Sequence, residues 1–347
     1  LSVQLLSGMP PMPGMGNPHA VMAGPMWMPT APPTVANVLA WHPQPIPVLP
    51  VLAVVLLLGY GAGLLVLRRR GVAWPVGRTL MWLVGVASIL FVTGTGIDGY
   101  GMELFSIHMV QHMALNMLCP VFLVLGAPIT LLLRVLPAGH GRRGTVRRGL
   151  LRVLHSVPAS ILTHPVVTFA LFVMSLYGLY FTPAFDYLMG TWWGHNIMLI
   201  HFLMIGFLYF WGILGVDPSP RQTGRGLRGI SGEVVPVLEL AATTPFHAFF
   251  GVVVMMSTTL LVHFYATPMP GWNIMPLADQ GTGGGIAWGF TEFPTLLVLG
   301  VLVSKWQRSD ARKTAAAERR AARVGDVDLE DYNSYLQGLA SRDKGPQ

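Results

Sequence analysis

The sequence predicts an all-α integral membrane protein of about seven transmembrane helices, N-terminus outside and C-terminus cytoplasmic, on three observations. Only 11% of its 347 residues are charged and 52% are hydrophobic, with a mean hydropathy of +0.56; soluble chains carry about 25% charged residues. Apolar runs of about 20 residues recur, each long enough to cross about 30 Å of hydrocarbon. Every Lys and Arg also falls on one side of the spans that these runs define.

In chain order, residues 1–46 form an extracytoplasmic arm rich in Met, Pro and Gly, where the prolines forbid regular structure. Two readings stay open for it. It is a flexible arm skimming the membrane on Trp27 and Trp41, or a tether of soft ligands carrying Met9, Met12, Met15 and His19. The transmembrane domain covers 47–304, with spans at about 47–67, 78–98, 102–126, 164–183, 191–214, 234–262 and 284–304. The four arginines 68–70 and 78 separate the first two spans, six lie between the third and fourth, three between the fifth and sixth, and the remaining nine of the 22 cations follow the seventh. By the positive-inside rule these loops and the tail are cytoplasmic. The basic loop 137–156 predicts a short surface helix, and the tail 305–347 begins in a strong helix former.

A net charge of +7 and a pI of about 9.9 are thus topogenic, with affinity for membrane lipid rather than nucleic acid. The single cysteine, Cys119, excludes an intramolecular disulfide and a CxxC site. No secretory signal is recognisable ahead of the first span, and the opening at Leu1 admits processing or an alternative start.

The most informative residues are His108 and His112, set i and i+4 in an apolar helix and so facing one spot. Ionisable groups in hydrocarbon are costly and mark function. At about 1.5 Å per residue, His108 lies roughly 9 Å and His112 roughly 15 Å below the outer surface. His195 lies roughly 6 Å and His201 roughly 15 Å deep on span five, Glu292 is roughly 12 Å deep on span seven, and His247 on span six reaches the same level. His263 sits at the outer mouth. Met109, Met113, Met117, Met198 and the Met255-Met256 pair are interleaved with these positions. Imidazoles with thioethers favour Cu(I) over zinc, magnesium or calcium. Cys119, seven residues beyond His112, is either a deeper ligand or a small buried hydrophobe before Pro120. A histidine alone in a membrane can simply bridge helices by a hydrogen bond, and methionine stripes commonly serve packing. Glu239 and Glu292 are proton-relay groups, metal partners or charges paired with a buried His.

The runs His108-Met109-Val110-Gln111-His112-Met113, Leu125-Gly126-Ala127-Pro128, His201-Phe202, Leu214-Gly215-Val216-Asp217-Pro218, Pro245-Phe246-His247, Asp279-Gln280 and Gly284 through Trp288 to Glu292 occur in this order. With them the chain resembles the multi-span CtaG family of cytochrome c oxidase assembly factors, not the single-span copper chaperones that sometimes share that name. The resemblance implies a role in maturing a haem–copper oxidase in a bacterial plasma membrane, with oxidase subunits or a respiratory supercomplex as partners. The expected site is a Cu(I) centre with His108 and His112 as core ligands, His201 and His247 completing it and His195 and Glu292 supporting it. Met9, Met12, Met15, His19, Met109, Met113, Cys119 and His263 are accessory. No nucleophile–base pair or phosphate loop marks an enzyme. The rivals are a b-type cytochrome with haem between histidines such as His112 and His201, and a copper transport or resistance protein.

Overall fold

The structure, a computed structural model, describes residues 24–137, 144–220, 234–324 and 327–343. The arm residues Met9, Met12, Met15 and His19 therefore lie outside the described residues. Among those described there is no β-strand; one isolated antiparallel bridge joins Trp41 to Thr95. The chain divides into two units, Leu1–Val298 and Leu299–Gln347.

The first unit opens with α1 (Val35–Leu39), capped by Thr34, whose hydroxyl accepts the Asn37 N–H. The long apolar helices α2 (Val48–Arg69) and α3 (Val76–Gly94) follow, each entered through a proline, Pro47 and Pro75. The short α4 (Gly96–Tyr100) breaks from α3 at Thr95, so the second span ends earlier than its hydropathy predicts. The third run is three pieces: α5 (Phe105–Met113), a π turn (Ala114–Leu118) and α6 (Cys119–Leu125). Pro120 explains the π turn, because it has no N–H to give the carbonyl of Asn116 and its ring crowds that turn. After Ala127, held left-handed at φ 53°, α7 (Pro128–Val135) turns away. Asp217 caps it, accepting the backbone N–H groups of Ile129 and Thr130 at 3.0 and 2.7 Å. The two Pro- and Gly-bearing motifs at 125–128 and 214–218 are thus one helix-capping joint.

Helix α8 (Thr145–Leu154) supplies the short basic helix expected after the third span, and α9 (Val157–Leu162), with no Lys or Arg, follows it. Then come α10 (Pro165–Tyr180), α11 (Ala184–Met189), α12 (Trp192–Leu214) and α13 (Val235–Met256), a 3₁₀ turn at His263–Tyr265, and α14 (Pro276–Val324). Thr191 caps α12 through the Gly194 N–H, and Gly215 ends it in the left-handed region at φ 50°. The second unit holds the rest of α14 from Leu299 and α15 (Val327–Asp343), whose described side chains are nearly all exposed.

Among the described residues six helices are long and apolar enough to cross a membrane: α2, α3, the run 105–135, α12, α13 and α14. The fourth expected span is α10, of 16 residues, about 24 Å of helix against about 30 Å of hydrocarbon.

In lipid, helices associate through close packing rather than water exclusion. Gly206 of α12 lies against the π turn, where an added Cβ would sit 2.0 Å from the Asn116 carbonyl oxygen and 2.7 Å from the Pro120 ring. Gly251 and Gly284 make a similar approach between α13 and α14.

Candidate functional site: a buried histidine cluster

At the end of the bundle where α5 begins, three elements close over its first turn. Asp279 of α14 accepts the Phe105 N–H at 2.7 Å and that of Ser106 at 3.4 Å. Tyr265 donates its phenol to the Gly101 carbonyl at 2.7 Å and sets its ring 6.3 Å from that of His108. Asp186 of α11 receives the N–H groups of His263 and Phe264, which fixes that loop. The arm is seated here as well. Gln44 accepts the Trp27 N–H at 2.8 Å and donates to its carbonyl at 3.3 Å, while Trp27 stacks on His42 at 3.6 Å.

Beneath this cover His108 and His112 are both fully buried, and one hydroxyl links them. The Tyr180 oxygen, at the end of α10, lies 3.0 Å from His108 Nε2 and 2.9 Å from His112 Nδ1. A phenol has one proton, so when it donates to one ring it accepts the N–H of the other, and the tautomers of the two rings are coupled. His195 of α12, also fully buried, places its ring centroid 6.3 Å from that of His108. Among the described residues, His108 Nδ1, His112 Nε2 and both nitrogens of His195 are buried without a hydrogen-bond partner. Phe202 stacks on His112 at 3.7 Å, and Phe185 meets His108 edge-on at 5.1 Å.

The other expected ligands are distributed differently. His247, fully buried on α13, puts Nε2 3.4 Å from Sδ of Met113. His201 is exposed on the flank of α12, bonded to Ser175 at 2.8 Å. Glu292 is exposed on α14, and the His263 side chain is 78% exposed beside Asp186. Glu292 and His201 occupy faces of their helices that are turned outward. Cys119 is buried, yet the π turn between it and His112 shifts the helical phase that seven-residue spacing assumes. Met109, Met117 and Met198 are buried in the core. Among the described residues no three His, Cys, Asp or Glu side chains converge as a ready-made metal cage.

Two participants escaped sequence reasoning. Tyr180 was legible by the depth argument applied to Tyr as well as His: sixteen residues into the fourth run, it returns to the level of His108. Asp98 of α4 is the second, buried and accepting from Gln111 Nε2 at 2.6 Å. Burial pushes its carboxyl up to about 7, against the opposing pull of Gln111 and Gln44. Between about 4 and about 7 the folded protein therefore holds a proton on Asp98 that the unfolded chain has released, so the contribution of this one group to stability falls as pH rises through the window, by on the order of 4 kcal/mol. Thermal unfolding in detergent should show Asp98→Asn gaining stability relative to the wild type between pH 5 and pH 8. A difference between variant and wild type that does not change with pH would mean that Asp98 does not titrate in this window.

The sequence profile of the cytochrome c oxidase caa3 assembly factors (Caa3_CtaG) matches residues 58–309. The chain belongs to that family. The matched stretch includes every helix that contributes to the histidine cluster. Among curated proteins, Uncharacterized protein Mb0105 of Mycobacterium bovis and Uncharacterized protein MT0111 of Mycobacterium tuberculosis are each 45% identical over 314 residues, 89% of this chain and 46% of theirs. Uncharacterized protein ML1998 of Mycobacterium leprae is 42% identical over 295 residues, 83% of this chain and 43% of its own. The chain thus spans less than half the length of these relatives. No solved structure matches it.

Proposed function

We propose that this protein handles Cu(I) for the copper centre of a haem–copper oxidase, taking it as cargo into the buried cluster of His108, His112 and His195. The observation that carries the reading is four ring nitrogens, fully buried and without a hydrogen-bond partner, on three adjoining imidazoles. Buried polar groups are ordinarily bonded, and a neutral imidazole nitrogen with no partner is a lone pair or an N–H awaiting one. Two-coordinate binding suits Cu(I) and needs no larger cage. Membership in an assembly-factor family for cytochrome c oxidase supports the oxidase as partner. The one-sided cations support an outside N-terminus and a cytoplasmic tail, with α10 as the fourth span of seven in a bacterial plasma membrane.

Packing favours copper over haem. His201, the second axial ligand that a haem on His112 would need, is exposed on the flank of α12 and bonded to Ser175, while His112 is fully buried. The deciding experiment is an anaerobic Cu(I) competition titration of the detergent-purified protein beside a His108→Ala/His112→Ala double variant. Tight binding that falls at least tenfold in the variant is the expected result. Equal, weak binding in both would end the copper reading, and a Soret band in the purified protein would replace it with haem.

A further inference from the structure

We propose that His247 and Met113 form a second Cu(I) station, distinct from the cluster around Tyr180; the inference rests on the reading that the protein carries Cu(I). Met113 directly follows His112, but a helix turns about 100° per residue. His112 therefore faces α10 while Met113 faces α13, where His247 Nε2 lies 3.4 Å from its sulfur. With bonds of about 2.0 Å to nitrogen and about 2.3 Å to sulfur, a metal joining atoms so spaced would subtend about 105°, an open angle with room for a further ligand. Both side chains are essentially inaccessible, at 2% and 0% exposure, so a loaded ion would be shielded from water and oxidants.

A cavity of about 10 Å³, space for roughly one water-sized group, adjoins His247 and is lined also by Met117, Thr243 and Thr295, though not by Met113 itself. The Thr295 hydroxyl is buried without a partner. Met117, in the π turn, presents a second thioether to the same space. One imidazole with one or two thioethers selects a soft monovalent ion over zinc or hard divalent cations. The first cluster offers nitrogen only through its three rings, so the two stations differ in the atoms that an absorbing metal would see.

That difference supplies the test. The full-length protein in detergent is loaded anaerobically with Cu(I), bound copper is counted, and the coordination shell is read by X-ray absorption. The wild type is expected to hold two equivalents and show sulfur at about 2.3 Å beside nitrogen at about 2.0 Å. Met113→Leu, nearly equal in volume and so tolerated by the core, should lose one equivalent and most of the sulfur shell. The His108→Ala/His112→Ala variant should lose the other equivalent and keep the sulfur. A wild type that binds copper through nitrogen alone, or a Met113→Leu variant with unchanged stoichiometry and sulfur, would make the His247–Met113 contact mere packing. A wild type that binds no Cu(I) would overturn this station together with the function it rests on.

Discussion

Gly206→Val should leave little folded protein. Helix α12 crosses the π turn so closely that even the first carbon of a side chain at 206 would stand 2.0 Å from the Asn116 carbonyl oxygen and 2.8 Å from its carbon. Overpacking a core commonly costs about 1–3 kcal/mol when neighbouring side chains can give way. Here the obstacle is backbone together with a proline ring, neither of which has another rotamer, so a cost of at least about 3 kcal/mol is expected. The loss should appear as a collapse of monodisperse yield in detergent and a large fall in the unfolding midpoint. Gly61, with nothing within 4 Å of an added Cβ, is the matched control; its alanine variant should be neutral or gain a few tenths of a kcal/mol through helix propensity. A valine variant at 206 with the wild-type midpoint would mean that the two helices do not cross there.

Tyr180→Phe should destabilise the metal-free protein and sharpen its response to Cu(I). Among the described residues the hydroxyl is the hydrogen-bond partner of both His108 Nε2 and His112 Nδ1. Its removal strands two buried polar atoms, at about 1–3 kcal/mol each, while the ring that fills the space remains. A loss of about 3 kcal/mol is expected. Cu(I) should then raise the unfolding midpoint more in the variant than in the wild type, because without the shared phenol both rings are free to take the tautomer whose lone pair lies on the unpartnered nitrogen. A variant equal to the wild type in both respects would show that the phenol does not bridge the rings.

The class of fold was legible because hydrocarbon imposes one dominant rule: long apolar runs with every backbone group bonded internally. The starts of α2, α10, α12 and α13 follow from Pro47, Pro165, Thr191 and Pro236 to within a few residues of the hydropathy. What composition conceals is rotation. Depth along a helix grows by a fixed rise, so His108, His112, His195 and His247 were placed at one level from the sequence alone. Which way each side chain points depends on neighbours that are remote in the chain. That is why Glu292 and His201 proved to face outward; Tyr180 went unnoticed for a different reason, because depth was weighed for His and Glu and not for Tyr. Cys119 shows the same effect within one run: a single proline alters the turn behind it, and counting by sevens no longer keeps the face.

The end of the bundle above the histidines has one more consequence. Among the described residues it carries Asp98, Glu103, Asp186 and Asp279 and no Lys or Arg. Asp98 and Glu103 are buried, while Asp186 and Asp279 are engaged by backbone N–H groups. Backbone N–H groups orient these carboxyl groups without cancelling their charge, and the Asp186 side chain is 35% exposed. A cationic donor of the proposed cargo would therefore be steered weakly toward this end, with an encounter rate that falls as ionic strength rises.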